Sequence, residues 1–135
     1  MAIVQTATNT FKTQLLNGGF NFTSGTFYIA LYTANANLNE NTTEYTSTGE
    51  VVAPGYSAQA LTVSTLPTSS NNISFISFNN VTWNSALTAR GALIYKLGAN
   101  GAVCVLDFGS DKTSTATFQV QFPAASSNSA IIRIS

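Results

Sequence analysis

The chain has 135 residues, with five Lys or Arg against five Asp or Glu, no histidine and one cysteine. Only 7% of residues are charged, against roughly 25% in an ordinary soluble domain, while 44% are hydrophobic and Ser, Thr and Asn fill about a third of the chain. This balance excludes a highly charged disordered tail and a cationic nucleic-acid face, which needs several Lys or Arg together. Without histidine, Ser-His and Cys-His catalysis and His-bearing metal sites are also ruled out.

The length predicts one domain over residues 1–135, large enough for a core without metal or disulfide. The opening MAIVQTATNTFK has neither a basic region nor a long apolar run, so neither signal peptide nor membrane span is expected there. Residues 1–7 read as an extended N-terminal arm in which Ile3 and Val4 have no obvious partner nearby in sequence. Thr8 to Gly18 reads as a short helix, with Thr8 or Asn9 as the cap, Phe11, Leu15 and Leu16 on one face, and Gly18 at the left-handed stop. Such a helix is too short to persist alone and must dock on a sheet.

Thr26 to Tyr32 alternates as a strand. The stretch 33–49, TANANLNENTTEYTSTG, reads as a long polar, solvated loop with one helical turn at Thr42 to Tyr45. Its Glu40 and Glu44, with Glu50 just after, lack the glycine-punctuated Asp/Asn spacing of a calcium loop. Glu50 to Val52 and Tyr56 to Val63 read as strands broken at Pro54-Gly55. Pro67 to Asn72 reads as a turn-rich link, and Ile73 to Phe78 and Val81 to Trp83 as strands around Asn79-Asn80.

The central element is a hairpin. Thr88 to Lys96 and Ala102 to Phe108 flank a turn carrying Asn100-Gly101, the strongest short-range hairpin signal in the chain. Both runs are apolar on both faces, which places them in a sheet covered on both sides. Gly109 to Ser114 reads as a turn. Thr115 to Phe122 then alternates, with Phe118, Val120 and Phe122 expected to meet Leu93, Ile94, Val105 or Leu106. Ala130 to Ser135 closes the chain as a last strand.

Cys104 lies among Val103, Val105 and Leu106 and reads as a buried hydrophobe rather than a reactive thiol. Trp83 reads as core rather than a stacking platform for a sugar. Arg90 and Asp107 stand in the most apolar part of the chain, where charges persist only when paired, so they read as a structural pair. The carboxylates are spread between the long loop and a turn, and no phosphate-binding glycine loop exists. No enzyme and no cofactor are expected. The fold class expected is all-β, an antiparallel β-sandwich or jelly-roll-like domain with one short N-terminal helix.

"FKTQLLNG", "TFYIALYT", "GEV…GYSA", "TARGALIY", "VCVLDFGSDK", "FQVQFPA" and the final "AIIRI" follow one another along nearly the whole chain. In this order they resemble a widespread family of small structural proteins of tailed bacteriophages. One departure stands at Gln59-Ala60, where the family pattern has two glycines. The resemblance implies a non-enzymatic virion protein, made in the host cytoplasm. Its implied role is capsid decoration (cement) on the outer surface of the head, as a homo-oligomer, a trimer by preference, bound to the major capsid protein. The alternative is a tail or fibre protein contacting the host surface or a glycan through Trp83 or Tyr45; a free sugar-binding module is a third class. Partners among nucleic acids or membranes are not implied. Candidate interface residues are Ala2, Ile3, Val4 and Gln5 of the arm, and Asn39, Asn41 and Tyr45 of the loop.

Overall fold

The structure is a computed structural model that describes residues 2–134. Met1 and Ser135, the ends of the expected domain and of the expected last strand, lie outside the described residues. In chain order the elements are β1 (Thr6–Ala7), α1 (Asn9–Leu16), β2 (Phe27–Tyr32), β3 (Gln59–Leu61), β4 (Val63–Ser70), β5 (Ile73–Phe78), β6 (Val81–Trp83), β7 (Thr88–Tyr95), β8 (Ala102–Thr113), β9 (Phe118–Val120) and β10 (Ile132–Ile134). The fold is all-β with one short helix, as the alternation and turn signals predict.

Three antiparallel sheets form two layers. The first layer is a five-stranded sheet in the order β1-β8-β7-β2-β3. The second comprises a three-stranded sheet, β10-β5-β4, and the β6-β9 pair. Between the layers lies the main core. The large sheet contributes Phe27, Ile29, Leu31, Ala92 and Ile94, and the second layer Ile76, Phe78, Val81, Trp83, Phe118 and Val120. The arrangement is sandwich-like, and the chain steps from one layer to the other at Thr62, between β3 and β4.

The hairpin pairs as its turn signal predicts, with Leu93 opposite Val105 and Ile94 opposite Cys104. Its two faces go to different places. Ile94, Cys104 and Leu106 face the main core with Phe118 and Val120, while Gln119 and Gln121 are exposed. Leu93 and Val105 turn to the other side and join a second cluster. The expected contact of Phe118 with those two residues is therefore wrong, because neighbours along a strand point to opposite faces.

Several boundaries move for identifiable reasons. Pro67 does not stop β4, which runs through to Ser70. β4 is an edge strand, where a missing N–H costs no ladder bond, and its register slips between Thr65 and Thr68 around the proline. The turn falls instead at Asn71 and Asn72, both with positive φ. β8 likewise passes through the expected turn at Gly109 and pairs again with the start of β7 at Lys112 and Thr113. Gly109 (φ +84) supplies the left-handed residue of a bulge there. Only Phe118–Val120 of the expected strand Thr115 to Phe122 is paired.

Helix α1 is capped by Thr8, whose Oγ1 accepts the Phe11 N–H at 3.1 Å and donates to the Ala102 carbonyl at 2.9 Å. Phe11 is buried against Phe20 and Phe22, with ring centroids 5.1 and 6.0 Å away. Leu16, expected on the same face, is 91% exposed. Five residues on, at 100° each, it lies about 140° around the helix from Phe11.

Candidate functional site

The outer face of the five-stranded sheet carries the most specific chemistry in the molecule. Tyr28, Tyr32, Tyr45 and Tyr95 lie on or beside it, and Tyr56, whose ring stacks on Trp83 of the main core, joins them at one carboxylate, Glu50. β2 sets this up. Along its free edge the returning chain pairs at Gly49–Val51, with Thr33 N–H to Gly49 O at 2.8 Å and Val51 N–H to Leu31 O at 2.9 Å. The chain then bulges outward at Pro54-Gly55 and rejoins β2 as β3, opposite Phe27–Ile29. This detour leaves the Leu31 N–H without a main-chain partner. The Tyr56 hydroxyl takes that place, accepting the Leu31 N–H at 2.8 Å and donating to Glu50 Oε2 at 2.6 Å. A side chain thus replaces a rung of the ladder.

The other Glu50 oxygen accepts the Tyr45 hydroxyl. The Tyr45 ring stacks on Tyr95 at 5.0 Å, and Tyr95 on Tyr28 at 5.8 Å. From beneath, the Tyr32 hydroxyl donates to the Thr46 carbonyl at 2.7 Å. These bonds set the phenol chemistry. The hydrogen bond to Glu50 pushes Tyr45 up to about 12, and burial pushes Tyr95 up to about 12. Burial first, then the Glu50 carboxylate, raises Tyr32 and Tyr56 further.

The stretch 33–49 is therefore a cover rather than a solvated loop. Ala36 and Leu38 are fully buried in the second cluster with Leu93, Tyr95 and Val105. No helical turn forms at Thr42 to Tyr45. A tight turn at Asn39 takes its place: the Thr42 N–H reaches Asn39 O at 3.0 Å, and Asn39 Oδ1 accepts the Asn41 N–H at 2.8 Å. Asn41 Oδ1 accepts Asn9 Nδ2 at 3.1 Å, and Glu40 O accepts the Asn9 N–H at 2.8 Å, tying the cover to the start of α1.

The arm closes over this cover. Ile3 pairs in parallel with Leu38, with the Val4 N–H to Leu38 O at 2.9 Å and the Leu38 N–H to Ala2 O at 3.1 Å. Ile3 is buried, whereas Ala2, Val4 and Gln5 are exposed. Gln5 Oε1 accepts the Asp107 N–H at 3.1 Å. The structure thus brings the two candidate interface elements together, and Ile3 has its partner within the chain, 35 residues away in sequence. Tyr45 is the candidate whose ring keeps substantial exposure, at 36%.

Arg90 Nε lies 3.0 Å from Asp107 Oδ1, and the same oxygen accepts the Gly109 N–H at 2.9 Å. The Arg90 hydrogen bond and the Gly109 N–H hold the Asp107 carboxyl below its usual range. The pair pins the β7–β8 bulge. Trp83 is 1% exposed and donates Nε1–H to the Ser57 carbonyl at 2.7 Å, so no ring can stack on it from solvent. Cys104 is buried, and burial raises its thiol to about 12. Gln59 spans the layers with Nε2 on Thr82 O at 2.8 Å.

Among the described residues no cluster of three metal-ligating side chains occurs, and no helix is long and apolar enough to cross a membrane. A surface concavity of about 470 Å³ lies between α1 and β10 and is lined by Leu15, Leu16, Ile132 and Ile134, with Lys12 and Arg133 beside them. No family model, no curated protein and no solved structure matches the chain. The Glu50–tyrosine cluster escaped the reading of the sequence. Its signal was the pairing of Glu50 with Tyr56 six residues on, across Pro54-Gly55, at a break that periodicity cannot interpret.

Proposed function

We propose that this protein is a non-enzymatic structural protein of a tailed-phage virion, acting as a capsid decoration (cement) protein. In this reading it is a homo-oligomer, preferably a trimer, on the outer surface of the head, bound to the major capsid protein. One observation carries the reading. The segments that resemble the phage family occur in order along the chain, and they fold into one unit. "TFYIALYT" spans β2, "TARGALIY" is β7, "VCVLDFGSDK" runs along β8, and "GEV…GYSA" supplies Glu50 and Tyr56 to the edge of β2. The resemblance therefore concerns a folding unit and not scattered strings.

Two features support an assembly role. The surface is uncharged overall, which removes repulsion between copies. Leu16 and Ile134 are exposed apolar side chains that share one concavity, an apolar patch of the sort that subunit contacts cover. The tail-fibre reading keeps one aromatic for a glycan, Tyr45, since Trp83 is enclosed. Imaging an intact virion and tracing this fold in the map tests the proposal. Density on the outer face of the head, contacting the major capsid protein, is expected. Density at the tail tip overturns decoration in favour of the fibre reading.

A further inference from the structure

We propose that the N-terminal arm is exchangeable between copies: Ala2–Gln5 of one chain seats in the notch beside Gly91 and Leu38 of its neighbour. This rests on the reading of the protein as an assembly subunit and adds to it the contact that links one copy to the next.

The notch is built for this arm. A Cβ on Gly91 would sit 2.9 Å from Ile3 Cγ2 and would also strike the Leu106 carbonyl, so only glycine leaves room for Ile3. The arm is held by that one buried side chain, by the two main-chain bonds to Leu38, and by Gln5 on the Asp107 N–H. None of these contacts depends on which chain supplies the arm. The covalent link to β1 runs through Val4 and Gln5, whose side chains are exposed and whose two hydrogen bonds, to Leu38 O and from the Asp107 N–H, a neighbour's arm would make equally well. The choice between own and neighbouring arm is then set by effective concentration. A dilute chain keeps its own arm. In a packed layer the neighbour's arm is present at comparable local concentration, and a net charge of zero does not hold the copies apart.

Geometry fixes where the neighbour lies. Four extended residues span at most about 13–14 Å, so the acceptor notch must sit directly beside the donor's β1. Along that edge β1 covers β8 only at Cys104 and Val105. From Asp107 to Thr113, β8 has β7 on one side and no strand of the described residues on the other. A second copy can approach along this open length.

The test uses two full-length variants, Ile3→Cys and Leu38→Cys, each also carrying Cys104→Ala. They are mixed under a mild thiol oxidant and run on a non-reducing gel. Exchange yields a disulfide-linked pair in the mixture that neither variant gives alone, with a yield relative to monomer rising roughly in proportion to concentration. One chain carrying both cysteines is the control and is expected to close as a monomer when dilute. If it closes while the mixture gives no linked pair at any concentration, exchange is overturned. Failure of the control to close removes the Ile3–Leu38 contact and overturns the proposal too. Neither result touches the virion reading, which is decided by where the protein sits.

Discussion

The two faces of the five-stranded sheet are buried by opposite means. The inner face meets strands, and its contacts are phenylalanine, tryptophan and aliphatic side chains with two polar handles, the Trp83 N–H and, at the edge, the Tyr56 hydroxyl. The outer face meets irregular chain, the stretch 33–49 and the arm, and its contacts are tyrosines whose hydroxyls bind Glu50 and Thr46 O, while Tyr56, with its ring on the inner core, reaches Glu50 and the Leu31 N–H at the sheet edge. The difference follows from the backbone. Strands satisfy their own N–H and C=O groups, so side chains between them can be wholly apolar. An irregular cover brings main-chain polar groups onto the sheet, and each must find a partner. Tyrosine meets both needs, with a ring to bury and a hydroxyl to place. In the described residues no buried side-chain polar atom is left without a partner.

The largest effect is expected on the inner face. Phe118 is 7% exposed, in contact with Trp83 and Phe108 at ring centroid distances of 6.3 and 6.1 Å. Phe118→Ala should cost about 3–5 kcal/mol in urea unfolding, as for a buried phenylalanine that leaves a cavity. A loss of a few tenths of a kcal/mol would mean that the second layer does not close this core.

Tyr56→Phe is the matching test of the polar edge where the two faces meet. It removes one hydroxyl and leaves the Leu31 N–H without its acceptor and Glu50 Oε2 without its donor. A cost of about 1–3 kcal/mol is expected, the range for a buried polar group left unpaired. Because ring packing is retained, the effect should stay below that of Phe118→Ala. An equal or larger loss would make the polar splice, and not the apolar core, the chief support of the sheet.

How much of this was legible in the sequence follows the same division. The hairpin at Asn100-Gly101, the helix cap at Thr8 and the alternation of Phe118 and Val120 were readable, because period-two patterns and turn residues are local. The apolar second face of β7 and β8 was readable as well, and it required a cover. What the cover was made of could not be read: Ala36 and Leu38 stand at strand spacing, but with small or single apolar side chains in a run of Asn and Thr that reads as loop, and Tyr45 stands alone. Pro67 misled because an edge strand tolerates proline, and edge position is a property of topology. Arg90 and Asp107 do pair, but not for the burial that their apolar strands suggested, since their side chains are 34% and 26% exposed.

Alkali should separate the faces. The folded protein holds the Tyr45 and Tyr95 protons up to about 12 where the unfolded chain loses them near 10.0, and the Cys104 proton up to about 12 against 9.0. Groups raised in this way contribute stability fully below their unfolded values, and lose it as pH rises through the folded ones. The contribution of these three groups should thus fall from about pH 9 and be lost by about pH 12. Tyrosinate absorbance and proteolysis within residues 33–49 should appear before the fluorescence of Trp83 shifts, because the tyrosines hold the cover and Trp83 belongs to the core. Coincident transitions would show that cover and core open as one unit.

The smallest effect is expected where the faces share a strand, at the Arg90–Asp107 pair. Its side chains are 34% and 26% exposed, so solvent screens the charges, and pairs of this kind contribute about 0–1 kcal/mol. Asp107→Asn keeps an oxygen for the Gly109 N–H and removes only the charge, so a loss under about 1 kcal/mol is expected at neutral pH. The sign with pH is set by the depressed Asp107 carboxyl. A depressed acid contributes stability above its unfolded value of 3.8 and loses it as pH falls through the folded one. Urea melts of wild type and variant should therefore differ by a constant amount above about pH 5 and converge below pH 3.8. Raising salt to 1 M should shrink the neutral-pH difference, since screening then acts within about 3 Å. A difference that survives both acid and salt would trace to the Gly109 hydrogen bond and the bulge it holds, leaving the ion pair with no part in stability.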